Sequence, residues 1–414
     1  MKLTTIQKDI LTDPSRFKVV VAGRRGGKSY ASIASLAQNA RHPNRKCMYV
    51  APSYRMAKQI IYDDLLMLLK ERKWLKKVNQ SELTFQLVNN SIIMLRSADN
   101  PDSIRGVGLD YVVIDEAADI PKLEDTWQAV IRPTLSDREG SALIISSPKG
   151  KGFLFDLYNN AKHQSDWNSW QYTTEQGGLV SQAELEQARQ DLDERTYKQE
   201  YQAEFVEYSG QIYYAFGDHN IRSMQFGDVQ VGSASAIPLH VGIDFNISPL
   251  CAVIGFKHGN GIHIYDEIEI YGSDTQEMAN EIKERYPNRV MHAYPDSSGA
   301  QRRTSAGGLT DHIILNNAGF RVNVGKTNPS VKDRLASVNS ACKSVNGASK
   351  LTIDPKCKNL INALRKHTYK EGTRQPDKDS GLDHLCDALG YLVNKLYPVR
   401  VDQINTYGKV NRTL

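Results

Sequence analysis

The segment Val19–Ser29, Val-Val-Val-Ala-Gly-Arg-Arg-Gly-Gly-Lys-Ser, has the residue types of a phosphate-binding loop. A glycine-rich turn between a strand and a helix lets successive backbone N–H groups face phosphate oxygens, at a helix end whose dipole favours negative charge. Gly23, Arg25, Gly26 and Gly27 then form the cradle, Lys28 neutralises the β and γ phosphates of ATP, and Ser29 is a ligand for Mg2+. The strict pattern opens on glycine where this chain has Ala22, with Gly23 beside it. Downstream, Tyr111–Ala117 runs through apolar residues into Asp115 and Glu116. An acid pair closing a buried strand is costly as mere core. As chemistry, Asp115 holds Mg2+ through water, and Glu116 orients and deprotonates the water that attacks the γ-phosphate. Arg24 or Arg25 in the loop, and Arg105 further on, are candidates to stabilise charge on the transferring phosphoryl group. Ser146-Ser147-Pro148 falls where a nucleotide sensor would sit, and Gln7 has the donor and acceptor to read an adenine edge.

A second set of acids lies in the C-terminal half. Asp244 closes the apolar run His240–Ile243, and Asp296 closes Ala293–Pro295. Asp383 and Asp387 are spaced to share one face of a helix. Carboxylates from separate elements suit Mg2+ or Mn2+, and two such ions can clamp the attacking and leaving oxygens of a phosphodiester. Asp244, Asp296 and Asp383 are the preferred ligands; Asp387 is either a ligand or a partner of one. His292 and His384 lie nearby, but a lone histidine beside a site is more often structural.

These residues need elements to position them. Short β-branched runs at 17–22, 47–51, 91–96, 111–115 and 142–146 alternate with helical spacing at 28–40 and 54–70, the pattern of an open α/β parallel sheet. Residues 181–205 read as one polar helix, and glycines at 210, 217, 227 and 232 then punctuate a stretch without periodicity. Three strands in meander order follow at 239–245, 250–257 and 262–270, with His258-Gly259-Asn260-Gly261 as a hairpin turn. Helices near 275–285, 330–345, 355–369 and 382–396 and strands at 290–295 and 320–324 complete an order found in RNase H-like domains.

Composition bounds the possibilities. The 414 residues exceed one comfortable core, and 40% hydrophobic with 24% charged residues is a globular balance. A net charge of +5 makes no global case for nucleic acid. The local clusters Lys70, Arg72, Lys73, Lys76 and Lys77, and Arg302, Arg303, Lys326, Lys332 and Arg334, each read as solvated faces when taken alone. Five scattered cysteines form neither a disulfide framework nor a zinc pattern, and no apolar run has membrane-spanning length.

The arginine-bearing phosphate loop, Val113-Ile114-Asp115-Glu116-Ala117, Ser146-Ser147-Pro148 and the series Asp244, Asp296, Asp383-His384-x-x-Asp387-Ala388, in that order, resemble the large subunits of tailed-bacteriophage terminases. The resemblance implies a P-loop NTPase (ASCE-type) motor domain over residues 1–208, with a helical lid at about 165–208. A linker at 209–237, an RNase H-like nuclease domain at 238–398 and a mobile tail at 399–414 would follow. It implies an ATPase that drives double-stranded DNA into a procapsid and a two-metal endonuclease that cuts concatemers. It also implies the portal protein and a small terminase subunit as partners, a ring of identical subunits (a pentamer), and action in the cytoplasm of the infected bacterium without retention in the virion. The rivals are a helicase-like or repair ATPase fused to a nuclease, a nucleotide-regulated transposase-like strand-transfer enzyme, and a capsid-assembly adaptor without activity.

Overall fold

The computed structural model describes residues 3–206, 210–224, 237–246, 248–300, 309–370, 373 and 375–399. Arg302, Arg303, Gly227, Gly232 and the expected tail from residue 400 lie outside the described residues. The chain divides into two compact units, residues 1–186 with 197–207 and residues 187–196 with 208–414.

The first unit is built on eight strands: β1 (Phe17–Ala22), β2 (Lys46–Ala51), β3 (Leu75–Asn79), β4 (Thr84–Leu87), β5 (Ile92–Ser97), β6 (Tyr111–Asp115), β7 (Ser141–Ser146) and β8 (Trp167–Tyr172). Their order is β3-β4-β5-β2-β6-β7-β1-β8; the six strands from β5 to β8 in that order are parallel and β3 and β4 run antiparallel at one edge. Both faces of the parallel part are covered. Val20 and Ala22 pack with Ala31, Leu36, Ile61 and Leu65 of the helices after β1 and β2, while Phe17 and Val19 pack with Trp127, Ile131 and Leu154 on the other side. Burial on both faces is why the central strands β6 and β7 read as largely apolar runs. The placement of β7 between β1 and β6 sets the phosphate loop and the acid pair one strand apart.

β3, β4 and β8 carry no strong apolar run and were not legible as strands. Lys76 and Lys77 are exposed on β3, where edge charges prevent pairing with another chain. The single polar helix expected at 181–205 is two helices, Gln182–Asp191 and Glu194–Glu200. The break has a local cause: Asp193 Oδ1 accepts the Thr196 N–H, capping the second helix.

The second unit carries β9 (Leu239–Asp244), β10 (Leu250–His258), β11 (Gly261–Ile270), β12 (Met291–Pro295), β13 (Arg321–Val322) and β14 (Leu351–Ile353), in the order β13-β12-β9-β10-β11-β14. β9, β10 and β11 form the antiparallel meander, joined at the expected two-residue turn with Gly259 at φ +55°; β12 lies parallel to β9. β14 and the helix Asp311–Asn317 were not anticipated. Residues 210–224, which fall within the expected linker 209–237, contribute Ile212, Tyr213 and Phe216 to this unit's core. All five cysteines are free and buried. Among the described residues no helix is long and apolar enough to cross a membrane.

Candidate functional site

In the first unit, β1 delivers the chain into the loop, and Gly27 caps the helix Lys28–Ala40 at φ +87°. The second left-handed residue of the turn is Arg25, at φ +55°, rather than a glycine. Gly26 is needed for space: a Cβ there would lie 3.0 Å from the Gly23 carbonyl and 3.1 Å from the Tyr172 ring. The loop is clamped from behind by the helix Thr174–Gly177. Thr174 Oγ1 donates to the Arg24 carbonyl at 2.7 Å, and a Cβ on Gly177 would stand 2.7 Å from Gly26 Cα. Gly177→Ala is therefore expected to push the loop out of register, costing about 1–3 kcal/mol of stability and weakening nucleotide affinity; melting and titration with a non-hydrolysable ATP analogue check this.

Lys28, buried, reaches Ser147 Oγ at 2.8 Å and the Gly23 carbonyl at 3.3 Å. Ser147, at the end of β7, thus stands beside the lysine, while Ser146 Oγ accepts the Ala118 N–H behind the acid pair. Ser29, half-exposed, follows in the helix's first turn. Asp115 is 1% exposed. Its Oδ2 accepts from Tyr49 at 3.0 Å and Ser32 at 3.2 Å, and its Oδ1 from the Glu116 N–H at 2.8 Å. Burial, then the Glu116 charge, push its carboxyl up to about 6, with Lys28 opposing. Glu116 sits at φ +47°, a left-handed conformation that a glutamate takes at a cost and that turns it off the strand end. Ser32 lies one helical turn past Lys28 and was findable from spacing; Tyr49, brought in by β2, was not.

The arginines occupy different settings. Arg24 is ion-paired with Glu200, and its Nη1 is buried without a hydrogen-bond partner among the described residues. Arg25 and Arg105 are exposed. Gln7 lies against the loop: its Nε2 donates to the Gly27 carbonyl at 2.9 Å and its Oε1 accepts the Thr4 N–H at 2.9 Å.

In the second unit, strand parity places the acids. Val241 and Ile243 of β9 join the core on one face, so Gly242 and Asp244 belong to the other. That face meets the helix Asp383–Leu396, whose approach Gly242 permits: a Cβ there would lie 2.1 Å from the Ala388 carbonyl. On β12, Ala293 and Tyr294 divide in the same way, which sets Asp296 on the helix side. β9 and β12 pair Ile243 with Pro295, and the Asp296 N–H donates to the Ile243 carbonyl at 3.2 Å, so the two strand-end acids are neighbours.

His384 Nδ1 lies 3.3 Å from Asp244 Oδ2 and its Nε2 3.8 Å from Asp383 Oδ1. Asp383 Oδ1 is buried with no hydrogen-bond partner among the described residues. Burial, then the Asp387 charge, raise Asp244 to about 6. Asp296 sits below the usual carboxylate range; burial would raise it, but donors from Ser298, Asn328 and Tyr391 outweigh that. Asp387 is 2.9 Å from Arg334 Nη1, a buried cation that had read as part of a solvated cluster. Among the described residues no three His, Cys, Asp or Glu side chains converge as a metal-ligand group. Asp244, Asp296 and Asp383, the preferred ligands, lie at one edge with Asp387, but Asp244 is beside His384, Asp296 is held by Ser298, Asn328 and Tyr391, and Asp387 is paired with Arg334. An orphaned carboxylate oxygen beside a raised one nevertheless fits a cation at this edge.

Comparison with known proteins agrees with this division. Residues 19–216 match the family described as terminase large subunit, T4likevirus-type, N-terminal, and residues 241–396 match the terminase RNaseH-like domain. The terminase large subunit of Escherichia phage T5 is 28% identical over 403 residues, covering 92% of this chain and 87% of that protein. That of Thermus phage G20c is 26% identical over 250 residues, half of each chain. The solved large terminase of a thermophilic bacteriophage shares the fold, with a TM-score of 0.63 at 15% identity over 95% of this chain and 99% of that one. Two family matches in chain order, reinforced by a relative aligned along nearly the whole sequence, place this chain in the bacteriophage terminase large-subunit family.

Proposed function

We propose that this chain is a DNA-packaging motor in which ATP hydrolysis in the first unit drives double-stranded DNA into a procapsid and the second unit cuts concatemeric DNA. The observation that carries it is the presence in one chain of two acid-bearing sites, each at the carboxyl edge of its own sheet and only one of them facing a phosphate loop. In the first, Gly23, Arg25, Gly26 and Gly27 cradle the phosphates of ATP, Lys28 neutralises them, and Gln7, which donates to the Gly27 carbonyl, braces the loop. Ser29 and Asp115 hold Mg2+, and Glu116 takes the proton of the attacking water. Arg24, once released from Glu200, or Arg105 of a neighbouring subunit in the ring stabilises charge on the phosphoryl group.

In the second site Asp244, Asp296 and Asp383 hold Mg2+ or Mn2+. Bound there, two ions would supply Lewis acidity and an ionised water for phosphodiester hydrolysis. The chain would act as a ring at the portal protein, with the small terminase subunit delivering DNA, in the cytoplasm of the infected bacterium, and would leave before the virion matures.

The test is ATP-dependent protection of double-stranded DNA from added DNase in the presence of portal-bearing procapsids. Protection that needs both ATP and procapsids is expected. Duplex unwinding without protection would overturn packaging in favour of the helicase-like reading.

A further inference from the structure

Tyr391 lies two turns beyond Asp383 on the same helix, and its hydroxyl donates to Asp296 Oδ2 at 3.0 Å. The other oxygen, Oδ1, is taken by the Ser298 N–H at 2.7 Å and Asn328 Nδ2 at 2.6 Å. With Oδ1 held by those two donors, the Tyr391 hydroxyl is the donor from the facing helix that fixes Oδ2 and completes the orientation of the carboxylate. The Tyr391 ring is itself held: the Arg334 guanidinium carbon lies 4.5 Å above its centroid, and the same guanidinium meets Asp387 at 2.9 Å.

Arg334 is 7% exposed and ion-paired with Asp387 at 2.9 Å, while its Nε has no hydrogen-bond partner among the described residues. A cation so buried persists only with a counter-charge beside it. The result is a relay, Asp387 to Arg334 to Tyr391 to Asp296, joining the helices Val331–Cys342 and Asp383–Leu396 to the end of β12.

The geometry points to Tyr391 and Arg334 as positioning residues of the nuclease site: Tyr391 orients the Asp296 carboxylate, Arg334 holds the Tyr391 ring, and Asp387 is the counter-ion of Arg334. This rests on Asp244, Asp296 and Asp383 being the metal-binding acids. Groups that orient metal ligands typically change metal affinity about 10- to 100-fold when lost. A purely structural contact would instead lower melting temperature and leave the metal dependence alone.

The experiment uses the full chain with Mn2+ alone as probe, reading free Mn2+ by electron paramagnetic resonance, plasmid nicking across Mn2+ concentrations, and thermal melting. Tyr391→Phe is expected to raise half-saturating Mn2+ by about 10-fold or more, with nicking restored at saturating Mn2+ and melting close to wild type. Arg334→Lys keeps the charge opposite Asp387 but cannot lie flat over the ring, and is expected to shift the Mn2+ curve in the same direction. Unshifted Mn2+ curves in these variants overturn the positioning role while leaving the metal-binding acids standing. If Tyr391→Phe does not fold, Arg334→Lys decides alone, an unshifted curve again overturning the proposal. A wild-type chain that neither binds Mn2+ nor nicks DNA removes the nuclease reading itself.

Discussion

Replacing Glu116 by alanine is expected to lower ATP turnover about 100- to 10,000-fold, the contribution of a general base, while nucleotide binding survives. Binding is retained because the cradle and Lys28 are separate from the acid, one strand away across β7. Glu116 also holds a left-handed backbone conformation at φ +47°, which glycine adopts freely. Glu116→Gly should therefore lose turnover as fully as Glu116→Ala yet melt higher than it, by the equivalent of about 1 kcal/mol. Single-turnover hydrolysis, a fluorescent-nucleotide titration and a melt of each variant check these expectations. Turnover within a few-fold of wild type in both variants would remove Glu116 as the base and move attention to another group near the loop.

The second large effect is expected at Asp244. Asp244→Ala should reduce Mg2+- or Mn2+-dependent plasmid nicking by more than about 100-fold, since removing a metal ligand exceeds the loss of an outer partner. ATP hydrolysis by the same protein should be unchanged, because Asp244 belongs to a different unit with its own core. The paired measurement matters more than either alone: loss of both activities would signal unfolding, and retention of full nicking would dissolve the acid site. Asp296→Ala should reproduce the result, as the Asp296 N–H is bonded to the residue preceding Asp244.

Much of the frame was legible because its strands are buried on both faces. β1, apolar apart from Lys18, and β6 were recognisable to their end residues, and the acid pair could be placed at the end of β6 without a structure. The same logic failed for β3 and β8, whose half-exposed residues leave no unbroken run. Asp193 was a missed signal, a capping residue inside an apparently continuous helix. Arg334 was misread because a cluster of basic residues along the chain says nothing about which one turns inward.

The order of residues along the chain determined which groups can do chemistry: a lysine after a glycine-rich turn, an acid pair closing a strand, and aspartates closing two others. Those are local properties, set by backbone conformation and by the alternation of strands and helices. Tertiary structure alone decided which groups attend them. Tyr49 reaches Asp115 from a neighbouring strand, Glu200 holds Arg24 from far along the chain, Tyr391 orients Asp296, and Arg334 claims Asp387. Such partners are chosen by strand order and by how closely a helix can approach a sheet, and neither leaves a periodic trace in the residues themselves.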